Sequence, residues 1–206
     1  MDASIAAPAH AAAAPAFDND RKVRLGMLFY VLTDVTFVIF LLVSYVWLRA
    51  YNTGGGWFPF AGMALPDATT SALLVLLIVL SAVAYAIGQI IINTTDNSRA
   101  LGVFAGIALI LTVVTLVWQI RFMGQQQFAA ADGSFASTWL ILSGYHVYHL
   151  FFGTFFGLGL TVRALKGRYS RARHLGVTTI GYFWYWMALM PVIVWVMMLV
   201  LPPNKP

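Results

Sequence analysis

The chain has 206 residues, 61% of them hydrophobic and only 9% charged; a soluble domain carries about 25% charged residues, so this composition excludes a water-facing domain and gives an all-α, polytopic membrane protein. There is no cysteine and no glutamate, which excludes disulfides, iron–sulfur clusters, thiolate metal sites, cysteine nucleophiles and glutamate-based di-metal centres. The net charge of +5 would suit nucleic acid, but the cations sit at the ends of apolar runs, which is a membrane-orientation pattern, and no nucleic-acid partner is expected.

In chain order, residues 1–20 are rich in Ala and Pro, with His10, Asp18 and Asp20, and read as a mobile tail. The basic cluster Arg21, Lys22 and Arg24 precedes an apolar run too long for a signal peptide, and no small-residue cleavage site follows. A retained first span is therefore expected. A span needs about 20 predominantly apolar residues, and five stretches qualify: about 25–50, 71–93, 101–121, 138–163 and 177–201. Connectors fall at 51–70 (with Gly54, Gly55, Gly56, Pro59 and Pro66), 94–100, 122–137 and 164–176. Residues 21–206 thus form one five-helix transmembrane domain, without internal duplication. The runs are continuous and do not alternate with period two, which argues against a β-barrel.

Orientation follows from the cations. With the N-terminus inside, that side holds Arg21, Lys22, Arg24, Arg99, Arg163, Lys166, Arg168, Arg171 and Arg173, against Arg49, Arg121 and Lys205 outside. The asymmetry places the N-terminus in the cytoplasm and the C-terminus in the periplasm. Gly102/Gly106 and Gly153/Gly157 are small-xxx-small pairs that allow helices to approach closely, and Gly159 extends the second seam. Trp47, Trp57, Trp118, Trp139 and Trp184 lie near the expected interfaces, where aromatic belts form.

Polar groups deep in a bilayer are costly and mark functional positions. Asp34, the lone carboxylate within a span, lies roughly 13 Å into the first at 1.5 Å per residue. It is read as a proton relay or polar anchor, or as a carboxyl hydrogen-bonded to Thr33, Thr36 or a neighbouring helix. His146 and His149 stand three residues apart in the fourth span and are expected to face one way. A zinc or di-iron site wants more protein ligands than this pair supplies, and His10 and His174 lie in the tail and a loop. The pair is read as hydrogen-bonding to a neighbouring helix or to lipid, with no metal and no cofactor bound by this chain. Gln119 and Gln89 are uncharged polar residues near span ends, and Pro191 is expected to kink the fifth span. Phosphate-binding loops, dinucleotide fingerprints, nucleophile elbows and HExxH are absent. With no catalytic residues of its own, the chain reads as a subunit of something larger.

The run Gly144-Tyr145-His146-Val147-Tyr148-His149-Leu150-Phe151-Phe152-Gly153 resembles a stretch of subunit III of the haem–copper respiratory oxidases. Thr33-Asp34-Val35-Thr36-Phe37, then Ser44-Tyr45 and Arg49, are similar to the first helix of that family's five-helix form. Leu65-Pro66, Thr69-Thr70 and Leu80-Ser81-Ala82 are similar to its next loop and helix, so the resemblance runs over about residues 22–201. It implies a non-catalytic subunit in the bacterial inner membrane, beside the catalytic subunit I, with subunit II and a small subunit IV as further partners. It implies that haems and copper reside in those partners, and that phospholipid sits in a cleft between two bundles forming a V. It also implies support of subunit I and its proton uptake during reduction of oxygen to water. Carried onto this chain, Asp34, His146, His149, Arg49 and Gln119 are lipid-cleft or intersubunit packing residues. The chain departs from the family where Gln119 stands at a position usually acidic, and where Ala188 and Pro191 replace an acid and a tryptophan. The electron donor stays open between quinol and cytochrome c. An accessory subunit of a nitric oxide reductase, or a small independent transporter, remains as the other reading.

Overall fold

The computed structural model describes residues 16–51, 57 and 64–202. Five α-helices follow one another: α1 (Ala16–Ala50), α2 (Ala68–Thr95), α3 (Ser98–Gly124), α4 (Ser134–Leu165) and α5 (Leu175–Val200), with a 3-10 turn at Ala130–Asp132 before α4. Each apolar run of the sequence falls on one helix, the first ending with α1 and the last reaching one residue past α5. Every helix starts before its run because the polar end continues the same backbone hydrogen-bonding into the interface. The expected tail lies outside the described residues up to residue 15, and so does most of the glycine-rich part of the first connector, including Gly54, Gly55, Gly56 and Pro59. The helix α1 begins at Ala16, so Asp20 and the basic cluster are helical.

Even α5, with 26 residues, is about 39 Å long, which exceeds a hydrocarbon core of about 30 Å. By length and composition, α1 (from Asn19), α2, α3 and α5 are apolar enough to cross a membrane. The helix α4, 32 residues long, is diluted by glycine, Ser, Thr and the histidine pair.

Helix ends are set by local chemistry. Asp67 caps α2 by accepting from the Thr70 amide at 2.6 Å, and Asn97 caps α3 by accepting from the Ala100 amide at 3.0 Å. Hydrogen bonds from Thr70 hold the Asp67 carboxyl below the ordinary carboxylate range. Between α2 and α3, Asp96 takes a left-handed conformation at φ 57°, which an Asx side chain tolerates.

The four helices α2, α3, α4 and α5 close into a ring in which each touches two neighbours, and α1 lies outside it against α4 and α5. Two bundles in a V are not formed by the described residues: four helices are consumed in closing one ring, leaving a single helix for its flank. The buried centre contains Ile78, Tyr85, Leu101, Ala108, Leu150, Phe183, Trp184 and Met187. Large apolar side chains such as Phe29, Phe40, Trp47, Ile110 and Phe155 point outward, and hydrocarbon or a partner protein must cover them.

The glycines separate by what lies opposite. A Cβ on Gly102 would stand 2.9 Å from the Leu165 backbone nitrogen, so α3 and α4 meet there only because the side chain is missing. On α4, Met187 Sδ occupies the space beside Gly153 and Trp184 Cη2 the space beside Gly157, at 2.6 and 2.7 Å from an added Cβ. Gly106 is looser, with Thr161 Cγ2 at 3.5 Å, and Gly159 faces nothing within 4 Å, outside the seam it was expected to extend. Trp184 is also not a belt residue. It is fully buried, stacks on Tyr85 at 5.1 Å and donates its indole N–H to Ser81 Oγ at 3.0 Å. Trp57 and Trp139 are likewise buried, whereas Trp47 is exposed. Pro191 is buried inside α5.

Candidate functional site

Asp34 sits near the middle of α1 on the face turned to α4 and α5, and is 7% exposed. The neighbouring Thr33 and Thr36 do not serve it. Their hydroxyls donate to the carbonyls of Phe29 and Leu32, four residues back in their own helix. Its partners come instead from the two other helices. The Tyr145 hydroxyl donates to Oδ1, the Trp186 indole N–H donates to Oδ2, and His149 Nε2 lies 2.9 Å from Oδ2.

The other nitrogen of His149 fixes the tautomer. Nδ1 is 2.8 Å from the Tyr145 carbonyl oxygen; a carbonyl only accepts, so Nδ1 carries a hydrogen and donates it. A single further proton then lies between Nε2 and Oδ2. Whether imidazolium faces carboxylate or imidazole faces carboxylic acid, the pair has no net charge, the form a bilayer interior tolerates best. The surroundings are aromatic and dry: His149 stacks on Phe183 at 5.8 Å and meets Tyr145 edge-on at 4.6 Å, and its side chain is fully buried. The cluster thus binds α1 to α4 and α5 with every strong hydrogen-bonding group of Asp34 and His149 in use.

His146 points elsewhere. It lines a cavity of about 70 Å³ with Gln119, Ser71, Ser143, Met190 and Trp195, and does not reach Asp34. It is 4% exposed, and its Nε2 has no hydrogen-bond partner among the described residues. The expectation that both histidines face one way therefore fails: three residues at 3.6 per turn leave them about 60° apart, enough for one to turn to α1 and the other into the ring. Arg49 lies at the far end of α1, where its Nε donates to the Pro202 carbonyl at 2.9 Å beside a Tyr45 hydroxyl donating to the Leu201 carbonyl at 3.0 Å. Gln89 accepts from the Tyr185 hydroxyl at 2.6 Å. Among the described residues, no three of His, Asp, Glu and Cys gather into a metal-holding group.

Tyr145 and Trp186 were not singled out by sequence reasoning. Tyr145 had a usable signal, one turn before His149 on the same face. Trp186 had none, because α5 is apolar all round. At the opposite end from Arg49, a cavity of about 420 Å³ is bordered by Arg24, Arg163, Arg168, Arg173 and His174, with Asp20. Beside it the Arg163 guanidinium lies 5.8 Å from the centre of the Tyr169 ring, and burial pushes the Tyr169 phenol up despite that cation.

These features define a class: a helical membrane protein whose buried polar side chains tie helices together. The sequence model of the family described as cytochrome c oxidase subunit III matches residues 5–201. Curated relatives carry the name cytochrome c oxidase subunit 3. The one from Cyanidium caldarium is 24% identical over 86% of this chain and 70% of its own length. The one from Triticum aestivum is 26% identical over 84% and 68%, and that from Drosophila melanogaster 23% over 84% and 68%. The chain belongs to the cytochrome c oxidase subunit III family, and its function is that of a non-catalytic oxidase subunit in a membrane.

Proposed function

We propose that the chain crosses a bacterial inner membrane five times, N-terminus in the cytoplasm, and supports the catalytic subunit I of a proton-pumping terminal oxidase. One observation carries the supporting role: the Asp34–His149 pair spends its hydrogen bonds on Tyr145 and Trp186 within this chain. Such a pair braces α1 against the bundle and has no open position for a redox centre. The fifth crossing is α4, which lies between α3 and α5 in the ring and at 32 residues is longer than either. Subunit II and a small subunit IV complete the complex, and subunit I keeps the haems and copper.

Phospholipid binds at the cytoplasmic end, where Arg24, Arg163, Arg168 and Arg173 surround a cavity beside the ends of α1, α4 and α5. Guanidinium groups match phosphate geometry better than any other side chain.

The test is the oxidase purified from cells carrying Asp34→Asn. Haem content per subunit I is expected to persist, while the chain dissociates more readily and oxygen consumption declines sooner during sustained turnover. Immediate loss of all oxygen reduction in a fully assembled complex would overturn the supporting role. For the lipid, native mass spectrometry of an Arg163→Gln/Arg168→Gln/Arg173→Gln variant is expected to show loss of a bound phospholipid, and retention of every lipid would refute that part.

A further inference from the structure

The chamber beside His146 differs from the cluster around Asp34 in that its polar groups are unanswered. His146 Nε2 and Trp195 Nε1 are both buried without a hydrogen-bond partner among the described residues, and both residues line it. Gln119 is 7% exposed, lines the same space, and makes no side-chain hydrogen bond to any described residue. Pro191, also in the lining, lacks the N–H that would bond the Met187 carbonyl one turn back. Buried groups of this kind are answered by ordered water when the space is polar and roomy enough. At about 70 Å³ the chamber takes about two molecules, counting the roughly 30 Å³ that each fills in the liquid.

The chamber also has a way in. A second cavity of about 250 Å³ shares Ser71, Trp139, Trp195 and Met198 with it. That cavity reaches Pro66 and Ala68 at the start of α2, Phe135 at the start of α4 and Pro202 after α5. All of these lie at the end of the bundle that bears Asp67. An acyl chain entering from that end would bring methylene groups against His146 Nε2 and Trp195 Nε1, leaving both without a partner. Water brings both a donor and an acceptor.

We infer that this chamber is a water-binding site, open through the aromatic mouth to the Asp67 face, so that His146 is hydrated from outside while His149, one turn on, is sealed. The two histidines of one helix thereby belong to different environments. The inference does not depend on which oxidase the chain serves.

Two methionines of α5 form a built-in probe. Met190 lines the chamber, Met187 is packed against Gly153 in the dry centre, and both are 1% exposed or less. Hydroxyl-radical footprinting of the wild-type complex in detergent is expected to oxidise Met190 several-fold faster than Met187. Equal rates would mean a dry chamber and overturn the inference. The chain has no cysteine, so a single Ser143→Cys in the chamber and a single Thr115→Cys in the closed core can be compared in sided membrane vesicles. A small charged thiol reagent is expected to modify Ser143→Cys from the Asp67 face and to leave Thr115→Cys unmodified until detergent denaturation. Protection of Ser143→Cys from that face, or modification only from the opposite face, would overturn the open mouth.

Discussion

Replacing Asp34 by alanine strands three donors at once. Trp186 N–H and Tyr145 O–H lose their acceptor, and His149 loses its partner inside an aromatic pocket. His149 keeps its Nδ1 contact to the Tyr145 carbonyl and is left out of the sum. The two uncharged donors cost about 1–3 kcal/mol each when left buried and unpaired. Within membrane proteins measured couplings average only about 0.6 kcal/mol per hydrogen bond, so the lower half of that range applies and the expected loss is about 2–4 kcal/mol. Asparagine is milder. If its oxygen takes the Oδ2 position, Trp186 is served but the neutral Nε2 of His149 faces a second acceptor. If its amide takes that position, His149 is served and Trp186 is not. One contact fails either way, so Asp34→Asn should cost about 1–3 kcal/mol. The assay is reversible unfolding in mixed micelles, with His149→Leu and the double variant completing a cycle. Removing both members leaves no stranded charge, so the double variant should be less damaged than the sum of the singles by about 1 kcal/mol or more. Strict additivity, or an alanine cost within error of zero, would refute the brace.

Other expectations follow from single contacts. Gly157→Ala places a Cβ 2.7 Å from Trp184 Cη2 and should destabilise by about 1–3 kcal/mol through overpacking; Gly159→Ala, with nothing within 4 Å, should be neutral or stabilise by up to about 1 kcal/mol, and melting of the two variants side by side checks this. Ser81→Ala leaves the Trp184 N–H without its acceptor and should cost about 1–3 kcal/mol, read by the same unfolding assay together with a shift in tryptophan fluorescence. Asp67 has its carboxyl held below the ordinary aspartate value of 3.8 by Thr70. Its capping of α2 is therefore present above that pH and lost as pH falls through the lower folded-state value. Asp67→Asn should keep the cap and remove this acid sensitivity, seen as a flatter stability profile between neutral and acid pH.

The helices were legible because in a bilayer apolar length is itself the signal: each of the five runs falls on one helix, the last reaching one residue past the end of α5. What surrounds each helix was less so. On α5, which is apolar on every side, no face is marked, so nothing distinguished Trp186, which meets Asp34, from Trp184, which fills the space at Gly157. Trp184 is pressed into the centre by the missing side chain of Gly157, a contact with another helix that its place near the start of an apolar run does not reveal. Asp34 was visible as a carboxyl in apolar sequence, but its partners come from 111 and 152 positions along the chain, beyond any local pattern. The histidine pair misled because a spacing of three was treated as one face, when the 60° offset sends the side chains to different neighbours.

This chain acts through its neighbours, and the haems and copper belong to those partners. Affinity purification of the tagged chain in mild detergent, with a haem spectrum and protein mass spectrometry on the same sample, tests this most directly. A large haem-bearing subunit is expected in stoichiometric amount, with loss of the haem spectrum from this chain once that subunit is stripped away. A chain that purifies alone, or keeps haem after separation, would contradict it.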